Sequence, residues 1–172
     1  IADHNDMVEI MSTSGVAGHD GCHFAHEGYV SFAERIFPLV ARDFYNEKSE
    51  LSITPPKMLR AFYSEGFDGS GTEITLQFDQ KLTWEEQREV NGKTHYLKDQ
   101  FFFRQNGNGE LINSIVESGL VEGSKVILKV LSKVPLNFIT YLPSKFYLNT
   151  DDIYNGPWLK GGNNIGALSF NN

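Results

Sequence analysis

One cysteine in 172 residues, Cys22, leaves no partner for an internal disulfide, so burial and hydrogen bonding have to hold this chain together. Positive charge is also scarce. The chain has 15 Lys and Arg against 22 Asp and Glu, a formal net charge of −7. The imbalance is local: through Ser52 nine acidic residues meet three basic ones, net −6, whereas residues 53–172 carry thirteen and twelve, net −1. Nucleic-acid binding rests on clustered Lys and Arg that neutralise phosphates, and no such cluster occurs, so no nucleic-acid partner is expected. No apolar run approaches the about 20 residues of a membrane-crossing helix. A Gly-x-Ser-x-Gly elbow is missing as well, which leaves Ser12 and Ser14 as nucleophiles by residue type only. There is no internal repeat. The hydrophobic share of 40% and charged share of 22% are those of a globular chain, long enough for one ordinary domain or for part of one and a small second one.

The chemistry concentrates in His19-Asp20-Gly21-Cys22-His23-Phe24. An Asp three residues before a His can turn back through a Gly-containing loop and accept a hydrogen bond from the imidazole Nδ1–H. Nε2 is then left free as a base, so Asp20 and His23 could be two members of a Ser-His-Asp triad whose serine comes from elsewhere. Two other chemistries use the same stretch. Cys22 could itself be a nucleophile beside His23, although neighbours on a tight turn usually point apart; otherwise it is a small, partly buried side chain. His4, Asp6, His19, Asp20, Cys22, His23 and His26 are all ligand types for zinc, but they lack a Cys-x-x-Cys pair and the i, i+4 helical spacing of metalloprotease motifs. No metal site is assigned, and His4, His19 and His26 read as solvated loop histidines.

In chain order, residues 7–11 have the apolar bias of a short buried strand, and residues 12–18 read as loop. Between His26 and Phe44 the residues Tyr29, Ala33, Ile36, Phe37, Val40 and Phe44 recur at three- and four-residue intervals, a helical stripe expected to pack on a sheet. Ala25 offers no side-chain cap, and Pro38 removes an internal donor. A charged stretch then ends at Pro55-Pro56, which favours a stiff, extended linker and marks a boundary. Beyond it, strand-like runs at 58–63, 73–78, 100–104, 112–117, 125–131 and 137–142 alternate with Asp68-Gly69-Ser70-Gly71, Asn91-Gly92, Asn106-Gly107-Asn108-Gly109 and Glu122-Gly123-Ser124. That spacing favours an antiparallel sandwich, with 125–131 as a central strand. In the irregular tail, Tyr147, Tyr154 and Trp158 either form a sugar-stacking surface or pin the tail to the domain; pinning is preferred.

The run Asp20-Gly21-Cys22-His23-Phe24-Ala25-His26-Glu27-Gly28-Tyr29 resembles the last catalytic block of SGNH-type hydrolases, in particular the sialate O-acetylesterase-like carbohydrate esterases. In these an Asp-Gly-x-His-Phe-x-x-Glu-Gly-Tyr run carries the catalytic Asp and His just before the closing helix. Residues 7–13 with Gly15 and Gly18 resemble the strand and loop leading into that block, and Ala41-Arg42-Asp43-Phe44-Tyr45 the helix end. The segments Leu76-Gln77-Phe78-Asp79-Gln80, Gly156-Pro157 and Gly166-Ala167-Leu168-Ser169-Phe170 resemble the β-domain that follows. The resemblance implies an α/β fragment over residues 1–52, comprising the C-terminal strand, catalytic loop and helix of an SGNH-hydrolase domain. An all-β antiparallel sandwich accessory domain follows over residues 53–172. It further implies a serine esterase acting on acetylated carbohydrate, with Asp20 and His23 catalytic, no cofactor, no membrane, and secreted or periplasmic placement. The family's nucleophile and oxyanion-hole blocks are absent, so the chain reads as the C-terminal part of the enzyme, partnered by the remainder of the hydrolase domain. The competing reading is a non-catalytic β-sandwich carbohydrate-binding or interaction module beside a structural α/β remnant.

Overall fold

Alternating side chains decide the central strands, because in a strand every second residue shares a face. The computed structural model describes residues 8–18, 20, 22–64, 72–105, 111–131, 136–143 and 154–171. Strand β1 (Met58–Tyr63) pairs with β2 (Thr72–Phe78), and β2 turns Ile74, Leu76 and Phe78 into the core. Five short strands follow: β3 (Leu82–Thr83), β4 (Gln87–Val90), β5 (Lys93–Tyr96), β6 (Phe101–Gln105) and β7 (Val116–Glu122). Strand β8 (Lys125–Val130) buries Val126, Leu128 and Val130 and lies between β2 and β7, as a central strand. Strands β9 (Leu136–Tyr141), β10 (Lys160–Gly161) and β11 (Phe170–Asn171) complete the set.

Every pairing is antiparallel. One sheet has the order β1-β2-β8-β7 and a second β11-β9-β6, with the pair β10-β3 and the hairpin β4-β5 beside them. The two larger sheets share one core, in which Leu76, Val126 and Leu128 of the first meet Phe101, Phe103 and Tyr141 of the second. The β4-β5 turn is Asn91-Gly92 at φ 52° and 74°, the left-handed pair that a two-residue hairpin requires and that Asn-Gly adopts readily. Glu122-Gly123-Ser124 likewise turns β7 into β8, with Gly123 at φ 62°. The turns at 68–71 and 106–109 lie outside the described residues.

Three expectations are corrected. Of the strand expected at 7–11, residues 8–11 form none and Met7 lies outside the described residues; a strand exists only where a neighbour takes up its backbone groups, and none among the described residues pairs with this segment. The strand expected at 112–117 begins at Val116 instead. Asn113 builds a turn there, accepting the amide of Val116 on its carbonyl at 3.0 Å and donating its Nδ2 to Asp99 O at 2.6 Å. The Pro55-Pro56 segment is no free spacer: both prolines are buried. Gln80 Nε2 donates to Thr54 O at 3.0 Å, and Leu168 N–H to Pro56 O at 3.1 Å.

The only α-helix among the described residues, α1 (His26–Tyr45), is capped at Ala25 without a side-chain bond and ends at Asn46 in the left-handed region. It lies on loops rather than on a sheet. Its buried positions are Gly28, Leu39 and Ala41, whereas Phe37 is 59% exposed and Phe44 80%, with Tyr29 and Val40 exposed as well. Within this chain the stripe therefore faces largely outward, with Ile36 half-buried.

Between β7 and the shared core, the bare backbone of Gly119 accepts the indole of Trp84, which stacks on Phe101 with centroids 5.9 Å apart. A Cβ at Gly119 would come within 2.3 Å of that indole. Gly119→Ala is expected to cost about 1–3 kcal/mol as an overpacked site, read as a lower denaturation midpoint with an unchanged m-value.

Candidate active site

The loop before α1 is built from its own backbone. Gly18 at φ 76° turns the chain, and Ala25 N–H donates to Gly18 O at 2.6 Å, closing the base of the loop. Inside it Asp20 N–H donates to His23 O at 3.0 Å, while Asp20 Oδ1 accepts the amides of Cys22 at 2.8 Å and His23 at 2.7 Å. This is the turn-mimicking use of an Asp side chain. The first turn of α1 clamps the loop from below. A Cβ at Gly28 would lie 2.7 Å from Ala17 O and 2.9 Å from Phe24, so only glycine permits this approach.

Asp20 thus spends one carboxylate oxygen on the turn and turns the other towards the imidazole. Oδ2 stands 3.7 Å from His23 Nδ1, within ion-pairing reach but longer than a hydrogen bond. Both side chains are open to solvent, 69% for Asp20 and 72% for His23, so the pair is screened and adds little to stability. The amides of His23 and then Cys22 hold the Asp20 carboxyl below its ordinary 3.8, with the His23 ring adding to the effect. Such a carboxylate stays ionised across the working range of a histidine base. Cys22, expected to be partly buried and directed away, is exposed, with Sγ 3.9 Å from His23 Nε2. Among the described residues no three His, Cys, Asp or Glu side chains converge on a metal position; His4, Asp6 and His19 lie outside those residues.

The preceding loop is held by residues that sequence reasoning did not single out for it. Arg35, on α1, donates Nη1 to Ser14 O at 2.7 Å and to Ser12 O at 3.3 Å. Burial lowers its pKa, yet a guanidinium remains charged at any ordinary pH. Ser12 is buried and structural: its hydroxyl donates to Ala167 O at 3.5 Å and accepts the Ser14 amide at 3.1 Å. In the sequence Arg35 is a charged residue outside the apolar stripe of the helix. Only the position of the loop across from it reveals the tether.

Between this loop and the tail lies a cavity of about 380 Å³ lined by Ser14, Gly15, Cys22, Phe24, Tyr154 and Trp158. Trp158 is only 5% exposed and holds Tyr154 edge-on at 5.9 Å, with the Arg88 guanidinium 4.8 Å above its ring. It pins the tail and has little face to offer a sugar; Tyr147 lies outside the described residues.

The architecture of the described residues is mixed, mostly antiparallel β-sheet with one α-helix. It matches part of a crystal structure of a carbohydrate acetylesterase from Xanthomonas citri with a TM-score of 0.58 and 16% sequence identity, over 92% of this chain and 31% of that one. The likeness is one of fold, and this chain spans about a third of that neighbour's length. No protein-family model and no curated protein sequence matches the chain.

A depressed carboxyl pKa supports the turn above its ordinary value and ceases to do so as pH falls through the lower folded-state value. The amide resonances of Cys22 and His23 are therefore expected to titrate together with a midpoint below 3.8, followed by NMR. A midpoint at or above that value contradicts the loop geometry. Arg35→Met should leave α1 in place while raising amide exchange at Ser14 and Val16 about tenfold or more, the loss of a charge-assisted bond to two carbonyls.

Proposed function

We infer that this chain supplies the Asp-His half of a serine carbohydrate O-acetylesterase of the SGNH type, sialate O-acetylesterase-like. The nucleophilic serine and oxyanion donors would come from chain outside these residues. The observation that carries the reading is the Asp20–His23 loop, whose backbone bonds hold an ionised carboxylate 3.7 Å from Nδ1 of an exposed imidazole. The fold likeness to a carbohydrate acetylesterase supports it. So does the outward stripe of Tyr29, Phe37, Val40 and Phe44, which the rest of a hydrolase domain would cover. The division into residues 1–52 and 53–172, and secreted or periplasmic placement, belong to the same proposal.

In this mechanism a serine hydroxyl attacks the acetyl carbonyl while His23 Nε2 takes its proton, and Asp20 stabilises the resulting imidazolium. Nε2–H then protonates the departing sugar oxygen, and water repeats the sequence on the acyl-enzyme to release acetate. A longer Nδ1 separation than a finished triad needs is common before substrate and partner groups are in place. The alternative of a non-catalytic carbohydrate-binding or interaction module draws on the wide exposure of both side chains.

Esterase assays on aryl acetates and acetylated sugars separate the two. The 172-residue chain by itself should be silent, lacking the groups that stabilise the oxyanion. In the longer protein, His23→Ala should lower kcat at least about 10³-fold with folding intact, and Asp20→Asn should also be severe, since an amide holds the wrong tautomer. Cys22→Ser should matter little. Near-normal turnover in His23→Ala sinks the assignment; loss in Cys22→Ser instead points to a thiol nucleophile, and loss on chelation to a metal.

A further inference from the structure

On the second sheet one nitrogen of a half-buried arginine is sealed without a partner. Strand β6 buries Phe101, Phe102 and Phe103 in succession, and Arg104 comes next. The Nε of Arg104 is sealed from solvent and has no hydrogen-bond partner, and no acidic side chain among the described residues pairs with its guanidinium. Buried donors are almost always satisfied, and a charged one left unmade is costly, so an orphan asks for an explanation.

The backbone around it is distorted in the same place. The register between β6 and β9 slips at this point: Phe103 faces Ile139, whereas Arg104 faces Asn137. Phe138 is the extra residue, bulged out at φ 58° and exposed. A bulge re-aims its neighbours' side chains, and a bulky residue at positive φ is strained. Leu142, at φ 48°, is a second such residue just beyond β9. Strain of this kind persists where the surroundings impose it and clusters at ligand sites.

Arg104 lines a cavity of about 290 Å³ together with Thr140, Ser169, Asn171, Phe170 and Leu142. A few polar groups on largely apolar walls is the make-up of a small-molecule site. Leu142 and Pro143 also line the cavity beside Cys22 and Phe24, so the two cavities share a wall.

We propose that the Arg104 cavity is a binding site for the carboxylate of a sugar acid, held on the guanidinium fork. A planar fork matches a carboxylate bidentately. Arg104 is the only cation among the lining residues described, enough to balance a monoanion, whereas a phosphate dianion would find no second cation there. The carboxylate half of the proposal rests on Arg104 alone; the saccharide half rests on the functional reading above.

The test is a titration with galacturonate, galactose, glycolate and inorganic phosphate, followed by calorimetry and by the Arg104 Nε–H resonance of the unsubstituted protein. Galacturonate should shift that resonance and bind at least tenfold more tightly than each of the other three. Arg104→Met should weaken galacturonate binding at least tenfold while leaving Tm unchanged or higher, because it removes an unsatisfied buried donor. Arg104→Lys, which keeps the charge but loses the fork, should fall in between. An unmoved Nε–H resonance, equal binding by Arg104→Met, or equal binding of galactose overturns the proposal. Glycolate or phosphate binding as tightly as galacturonate reduces the cavity to an ion site and overturns its saccharide half. In His23→Ala galacturonate should still bind; lost turnover with retained binding, or the reverse, tells failure of this site from failure of the esterase assignment.

Discussion

The hydroxyl of Tyr141 accepts the amide of Leu159 at 2.9 Å in the interior of the β-structure. Tyr141 has no solvent exposure, lies against Phe101 with centroids 5.0 Å apart and Phe170 at 5.7 Å, and burial pushes its phenol pKa well up. One ring thereby fills the core, and its polar end anchors the tail, satisfying a backbone donor that burial would otherwise strand. Beyond that anchor the tail adds β10 to β3, returns Ala167 N–H to Leu159 O at 2.8 Å and ends as β11 against β9.

The loop leading to Asp20 and His23 is held by that tail. Ser12 donates to Ala167 O, and Gly166 lies so close to Ser14 that a Cβ there would meet its carbonyl oxygen at 2.5 Å. Gly15 faces Trp158 and the Lys160 side chain. With Arg35 gripping the same loop from α1, residues 12–16 are fixed from two sides. The Asp20 and His23 side chains beyond it are exposed on a short loop whose described residues bond to one another through the backbone. An exposed pair on a held backbone has its geometry set by structure and its energetics by water, which is why the Asp20–His23 interaction contributes position rather than stability.

Local chemistry was the part most readily legible. The three- and four-residue rhythm from His26 to Phe44 anticipated α1 (His26–Tyr45), and strict alternation of Ile74, Leu76 and Phe78 anticipated β2. Asn91-Gly92 and Gly123 turn where such residues tolerate positive φ. Boundaries failed where a side chain intervened: Asn113 bonds Asp99 O, and the apolar Ile112, expected to open a strand, makes only an isolated bridge to Phe103. The helix stripe was found but its surroundings were not, since periodicity says which residues share a face and not what lies against it.

By itself, then, the sequence determined the short-range features: where the chain coils, where it turns, and that Asp20 and His23 share one tight Gly-containing loop. These depend on residues close together in the chain, whose geometry the φ/ψ preferences already restrict. The tertiary structure alone decided that β3 meets β10 across the chain, that Arg35 holds the loop at Ser12 and Ser14, and that beside the register slip opposite Phe138 the Nε of Arg104 is sealed without a hydrogen-bond partner. Each of these joins segments distant in sequence, and their pairing is set by how all the apolar faces are buried at once, a condition that no local pattern encodes.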